Sequence, residues 1–308
     1  MIELKNTVKK FDSYTALDGV DLTIEKGTAF GLLGSNGAGK STILRLLSGI
    51  YRPEGGEILI DGESVYDNVN AKQKVFFIND ETVQFGNFTL KKLKEFYKGY
   101  YTNFSDEIFE KLRSKINLPL DKKLNTFSKG MKRQAIVITG LACQTDYLLL
   151  DEAFDGLDPT MRIIVKKMLV DAMLDRQLTT IISSHNLKEI NELCDTAALL
   201  HQGKIIFSRD IDSIKGNIHK VQVVFPKDEN GNAVEYTQND FQGLEVLHFE
   251  RSQSIYYIII RGDEDTIKAF FAPKKPMLLE IIPLTLEEIF IYELEVLGYD
   301  SRDINSEE

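Results

Sequence analysis

The chain is 308 residues long, 43% hydrophobic and 27% charged, which is length for one large or two ordinary domains and the composition of a globular protein with a sizeable core. Its formal net charge of −10 argues against a nucleic-acid partner, because a binder of phosphates usually presents a basic face. The two cysteines, Cys143 and Cys194, stand in no metal-ligand or redox spacing, and no apolar run approaches the ~20 residues of a membrane-spanning helix, so a soluble, cytoplasmic protein is expected.

The opening Met1-Ile2-Glu3-Leu4-Lys5-Asn6-Thr7-Val8 alternates apolar and polar residues, a strand pattern without the apolar core of a signal peptide. From there to about residue 210, strands alternate with helices. The strands at 29–33, 75–78, 147–150 and 179–182 read as buried on both faces, as in a parallel sheet covered by helices. Residues 42–48 and 159–174 read as helices, and 89–118 has the make-up of a helical insert. After about residue 211 the pattern changes to strands at 221–225, 245–249 and 255–260, with a polar turn at 228–232. Leu286, Ile289, Phe290, Tyr292 and Leu294 then recur at helical spacing. The expected fold class is an α/β domain over 1–210, a small α+β appendage over 211–299 and a polar tail over 300–308.

The strand at 29–33 runs directly into Gly34-Ser35-Asn36-Gly37-Ala38-Gly39-Lys40-Ser41-Thr42, which meets G-x-x-x-x-G-K-S/T at every fixed position and opens a helix. Glycines let the backbone curl so that successive N–H groups face phosphate oxygens, and the helix N-terminus adds partial positive charge. Lys40 is expected to reach the β- and γ-phosphates and Ser41 to ligate Mg²⁺. The strand at 147–150 ends in Asp151-Glu152, carboxylates at the end of a parallel strand where such sheets bind ligands. Asp151 is placed to hold Mg²⁺ and Glu152 to take a proton from the attacking water. By itself Asn125-Thr126-Phe127-Ser128-Lys129-Gly130-Met131 reads as a helix cap at Ser128. His185, in Ser183-Ser184-His185, is one of four histidines.

In this order, the pieces resemble the ABC ATPase family. Ser128 and Gly130 occupy signature positions in the Ser-Lys-Gly-Met form of drug and peptide exporter cassettes, and Gly156-Leu157-Asp158 resembles the D-loop that crosses the dimer interface. The resemblance implies a P-loop core of mostly parallel sheet, an antiparallel β subdomain and a helical subdomain at about 85–145. It implies that Ser128 and Gly130 meet the γ-phosphate of a partner subunit's ATP, that His185 is the switch histidine, and that Phe11, or alternatively Tyr14, stacks on adenine. Where the family places a glutamine near the metal and attacking water, this chain carries Asp80, while Gln84 lies several residues off that spacing. The closing Pro283-Leu284-Thr285-Leu286-Glu287-Glu288-Ile289-Phe290 resembles ABC-2-type exporter ATPases.

The implied activity is Mg²⁺-dependent ATP hydrolysis by a homodimer or heterodimer that powers a separate transmembrane permease on the inner face of the cell membrane. Export is favoured. A soluble regulatory ATPase not tied to transport is the alternative.

Overall fold

The computed structural model describes residues 1–79, 85–227 and 234–296. Asp80, Gln84, the polar turn at 228–232 and the tail at 300–308 lie outside them. The chain divides into two compact units, Met1–Ser208 and Arg209–Glu308.

In the first unit the elements run β1 (Ile2–Phe11), β2 (Tyr14–Ile24), β3 (Ala29–Leu33), α1 (Lys40–Leu47), β4 (Gly55–Ile60), β5 (Glu63–Ser64), α2 (Val69–Gln73) and β6 (Val75–Ile78). They continue with α3 (Leu90–Tyr100), α4 (Asp106–Ile116), α5 (Lys129–Ala142), β7 (Tyr147–Asp151), α6 (Pro159–Arg176), β8 (Thr179–Ser183), α7 (Leu187–Leu193), β9 (Thr196–His201) and β10 (Lys204–Asp210).

One sheet has the order β10-β9-β3-β8-β7-β6, and its β9/β3, β3/β8, β8/β7 and β7/β6 pairs are parallel. Every residue of β3, β7 and β8 is buried, which is why these strands lack alternation. The β9–β10 hairpin turns on Gln202 and Gly203, at φ 45° and 76°, the left-handed pair that a two-residue hairpin loop uses. A second sheet, β2-β1-β4-β5, is antiparallel. Helix α1 joins the layers: Ile43, Leu44, Leu46 and Leu47 share one core with Ile2 and Leu22 of the second sheet and Phe30 and Leu149 of the first. Each such aliphatic burial contributes about 1.5–3 kcal/mol, so α1 and the loop before it are held firmly.

The stretch expected as a helical insert is two helices, α3 and α4, followed by α5. Each begins at a hydroxyl cap: Thr89, Ser105 and Ser128 accept from the backbone N–H of Lys92, Ile108 and Met131. α4 stops where Asn117 turns left-handed, at φ 53°.

The second unit contains α8 (Ile211–Gly216), β11 (Ile218–Val224), β12 (Glu245–Ser252), β13 (Ile255–Arg261), α9 (Glu264–Phe271), β14 (Leu278–Pro283) and α10 (Leu286–Val296). Its antiparallel sheet has the order β12-β13-β11-β14. Val221, Val223, Tyr256, Ile258 and Ile260 form one face and pack with Phe241 and with Ile267 and Phe271 of α9. Helix α10 buries Leu286, Ile289, Phe290 and Leu294 and contacts β12. The sequence pattern missed α9 and β14; β14 draws its regularity from pairing with β11 rather than from its own alternation.

Candidate functional site

Strand β3 delivers the loop 34–39 to the N-terminus of α1. Gly34 has φ 153°, and a Cβ there would lie 2.3 Å from the Leu200 carbonyl oxygen. Gly39 has φ 113°, and its Cβ would meet the Ala16 carbonyl oxygen at 2.9 Å. Only glycine fits both positions, so the loop's shape is built by its neighbours as well as its own conformation. Ala38 N–H donates back to Ser35 O at 3.2 Å, while Ser35, Asn36 and Gly37 stand exposed at the rim. No side chain caps α1, and no acid occupies its first turn, where Ser41 and Thr42 lie half-buried. This leaves a helix N-terminus whose partial positive charge suits an anion. Lys40, 8% exposed, folds over the loop and donates from Nζ to Gly34 O at 2.6 Å and Ser35 O at 3.0 Å. Burial pushes its pKa down, against the pull of Glu152 and Asp151.

The registers Leu32↔Ser183 and Asp151↔Ser183 bring the ends of β3, β8 and β7 side by side. Asp151 Oδ1 accepts from Ser41 Oγ at 3.1 Å and from Ser183 Oγ. Asp151 Oδ2 is buried without a hydrogen-bond partner among the described residues. Immediately after the strand, Glu152 turns left-handed at φ 48°, and its Oε2 lies 2.9 Å from His185 Nδ1. Burial raises the Glu152 pKa above the ordinary carboxylate value, while His185 pulls it back. His185 itself is exposed.

Phe11 and Tyr14 face each other across the β1–β2 turn. The Phe11 ring sits edge-on to Tyr51 at 5.2 Å, whereas Tyr14 OH donates to Gly37 O at 3.2 Å. Both rings are exposed, and Tyr14 is the one tied to the loop. Ser128 caps α5 by accepting from Met131 N–H at 3.1 Å. A Cβ on Gly130 would lie 2.7 Å from the Gly156 carbonyl oxygen, so α5 begins in close contact with the 156–158 segment. Asp158 caps α6, accepting from Met161 N–H at 3.0 Å, with Pro159 at the first helical position.

The ABC transporter family matches residues 17–155. The chain is 31% identical over 291 residues to "ABC transporter ATP-binding protein YtrB" of Bacillus subtilis (strain 168), covering 94% of this chain and 97% of that protein. The chain belongs to the ATP-binding proteins of ABC transporters. Solved structures of the fold agree. An ATP-binding subunit of an ABC transporter matches with TM-score 0.65 at 24% identity, covering 70% of this chain and 92% of that one. A dimeric ATP-binding cassette, MJ0796, bound to ADP and Pi, matches with TM-score 0.62 at 21% identity, covering 68% of this chain and 99% of that one.

An ABC ATPase needs a place for a hard divalent cation beside its nucleotide. The Ser41 hydroxyl and the Asp151 carboxylate, with its Oδ2 unbonded among the described residues, offer oxygen donors of the right chemistry. Three contributors escaped sequence reasoning. Ser183 was noticed only as a neighbour of His185, yet its hydroxyl holds Asp151. Arg133, 4% exposed in α5, donates to the Asn79 carbonyl oxygen just after β6. Glu189, on α7, lies behind the His185 loop and is bonded to Ser184. Only the Ser183-Ser184-His185 run signalled any of these, because the contacts join residues far apart in the chain. Asp80, expected beside the metal, lies outside the described residues.

Proposed function

We propose that this chain is the ATP-hydrolysing subunit that powers a separate transmembrane permease, with export the favoured direction. The observation that carries the hydrolytic reading is the union of three strand ends. Ser41 and Asp151 are joined at 3.1 Å, and Glu152, one residue past β7, pairs with His185, two residues past β8. In this reading the loop N–H groups and Lys40 bind the β- and γ-phosphates. Ser41 and Asp151 hold Mg²⁺, which when bound would neutralise phosphate charge. Glu152 accepts the proton of the water that attacks the γ-phosphorus, with ADP and phosphate as products. His185 orients Glu152 and senses the γ-phosphate. Phe11 or Tyr14 stacks on the base, and the link from Tyr14 to Gly37 favours the tyrosine.

Ser128, Gly130 and Asp158 are assigned to a partner cassette's nucleotide across a head-to-tail dimer. ATP closes such a dimer because its γ-phosphate makes those contacts only in the closed state. Among the described residues no helix is long and apolar enough to cross a membrane. Export and the ABC-2-type assignment rest on the Ser-Lys-Gly-Met variant and on the closing stretch at 283–290.

The test is the Glu152→Gln variant beside the parent, with and without Mg²⁺-ATP. The variant is expected to bind ATP with unchanged affinity, to lose turnover by about a hundredfold or more, and to accumulate as an ATP-stabilised dimer. Turnover near the parental rate would remove Glu152 from the mechanism, and a parent that binds no nucleotide would remove the whole reading.

A further inference from the structure

Helices α6 and α7 are joined twice. Lys166 Nζ meets Glu192 Oε2 at 2.7 Å, and one turn earlier on α6 Arg162 Nη1 meets Glu189 Oε1 at 3.4 Å. The two carboxylates differ in surroundings. Glu192 is exposed, and a pair of that kind contributes little. Glu189 is only 4% exposed, and a carboxylate that deep is tolerated only when its oxygens are engaged. Both are. Its Oε2 accepts from Ser184 Oγ at 2.7 Å, and Ser184 Oγ in turn accepts from the Asn186 N–H at 3.0 Å. Ser184 and Asn186 are the residues on either side of His185. The buried carboxylate therefore grips the backbone turn that presents His185 to Glu152. Its other oxygen is held by α6, the helix that Asp158 caps.

We propose that Glu189 is a positioning residue for ATP hydrolysis: through Ser184 it fixes His185 against Glu152, and through Arg162 it ties that turn to the segment 156–158. This rests on the roles given above to Glu152 and His185. Arg162 N–H donates to Asp158 O at 2.9 Å, so a displacement of the 156–158 segment reaches Glu189 through a single helical turn. Arg162 Nε is buried without a hydrogen-bond partner among the described residues, and Nη1 provides the link to the carboxylate. A partner cassette pressing on that segment would shift His185 without touching it. That is a route by which dimer closure sets the geometry of the hydrolytic pair.

The experiment uses the full chain and compares the parent with Glu189→Ala, Glu189→Gln and Ser184→Ala, and Glu189→Ala in a His185→Ala background. Glu189→Ala and Ser184→Ala are expected to lower kcat about tenfold with KM for ATP within about twofold, since the phosphate loop is untouched. Glu189→Gln keeps an oxygen for Ser184 and is expected to retain kcat within about threefold. In the His185→Ala background, Glu189→Ala should cost nothing further. A folded Glu189→Ala at parental kcat, a parallel rise in KM, or an undiminished loss without His185 would overturn the proposal.

A second readout needs no turnover. The ring NMR signal of His185, assigned by its absence in His185→Ala, should move in Glu189→Ala and Ser184→Ala and return towards the parental position in Glu189→Gln. An unmoved signal overturns the positioning role. A moved signal in a parent that does not hydrolyse ATP would instead retain the contact and remove the proposed function. Should Glu189→Ala not fold, Ser184→Ala, which severs the same contact, decides the matter.

Discussion

At the scale of residues, Glu152 shows how burial and a neighbour compete over one proton. Its backbone leaves β7 in the left-handed region, where a non-glycine residue is strained, and its carboxylate meets His185 Nδ1 at 2.9 Å. Burial raises the Glu152 pKa and His185 lowers it. A base whose pKa is raised loses its function as pH falls through a value above the ordinary carboxylate range. Removing His185 removes the opposing pull, so the acid limb of kcat/KM in His185→Ala should move to higher pH than in the parent. A limb that stays in place or moves lower would separate the two residues. The same burial penalises the charged carboxylate in the folded state, a cost present above the raised pKa and absent below the unfolded one. Glu152→Gln should therefore melt at or above the parental temperature near pH 8, with the difference fading in acid. Calorimetric scans across pH would check it.

At the scale of elements, caps were legible and contacts were not. Ser128, read as a cap, closes the first turn three residues ahead; Asp158, read only as part of 156–158, does the same, and both relations lie within a few consecutive residues. The reason for Gly130 is different. The sequence placed it in a signature, while the fold presses it against Gly156, where a Cβ would lie 2.7 Å from a carbonyl oxygen. Backbone must yield to accommodate a methyl there, at a cost of about 1–3 kcal/mol. Gly130→Ala is accordingly expected to lower the unfolding free energy, read from urea titration, by that amount. It should leave ATP binding at the phosphate loop intact while hydrolysis falls about tenfold or more. Unchanged stability together with unchanged hydrolysis would show that the contact relaxes without consequence.

At the scale of the whole molecule, each of the two units has a hydrophobic core of its own among the described residues. The core that holds α1 draws its buried members from residues 2–200, and the core of the second unit from residues 221–271. The cores draw on different sheets, and we propose that each unit folds on its own. A chain ending at Ser208 is expected to melt cooperatively and to bind ATP with parental affinity, as read by circular dichroism and nucleotide titration. Failure of the shortened chain to fold would make the second unit part of the first unit's stability.

What the amino-acid order determined by itself was whatever is carried by neighbouring residues. The glycine spacing of 34–39, the carboxylates closing an apolar run, the Ser128 cap and the alternation of strand and helix can each be read within a few positions, although distant carbonyls also demand Gly34 and Gly39. What only the tertiary structure decided was which strand ends meet. Placing β8 between β3 and β7 brings Ser183 to Asp151, and packing α7 beside α6 brings Glu189 to Arg162. Tyr14 reaches the phosphate loop through the β1–β2 hairpin, and β14 becomes a strand by pairing with β11. The physical reason is the same in each case: a hydrogen bond between distant residues leaves no periodic trace in either segment, and it forms only after the burial of the cores has brought the segments together.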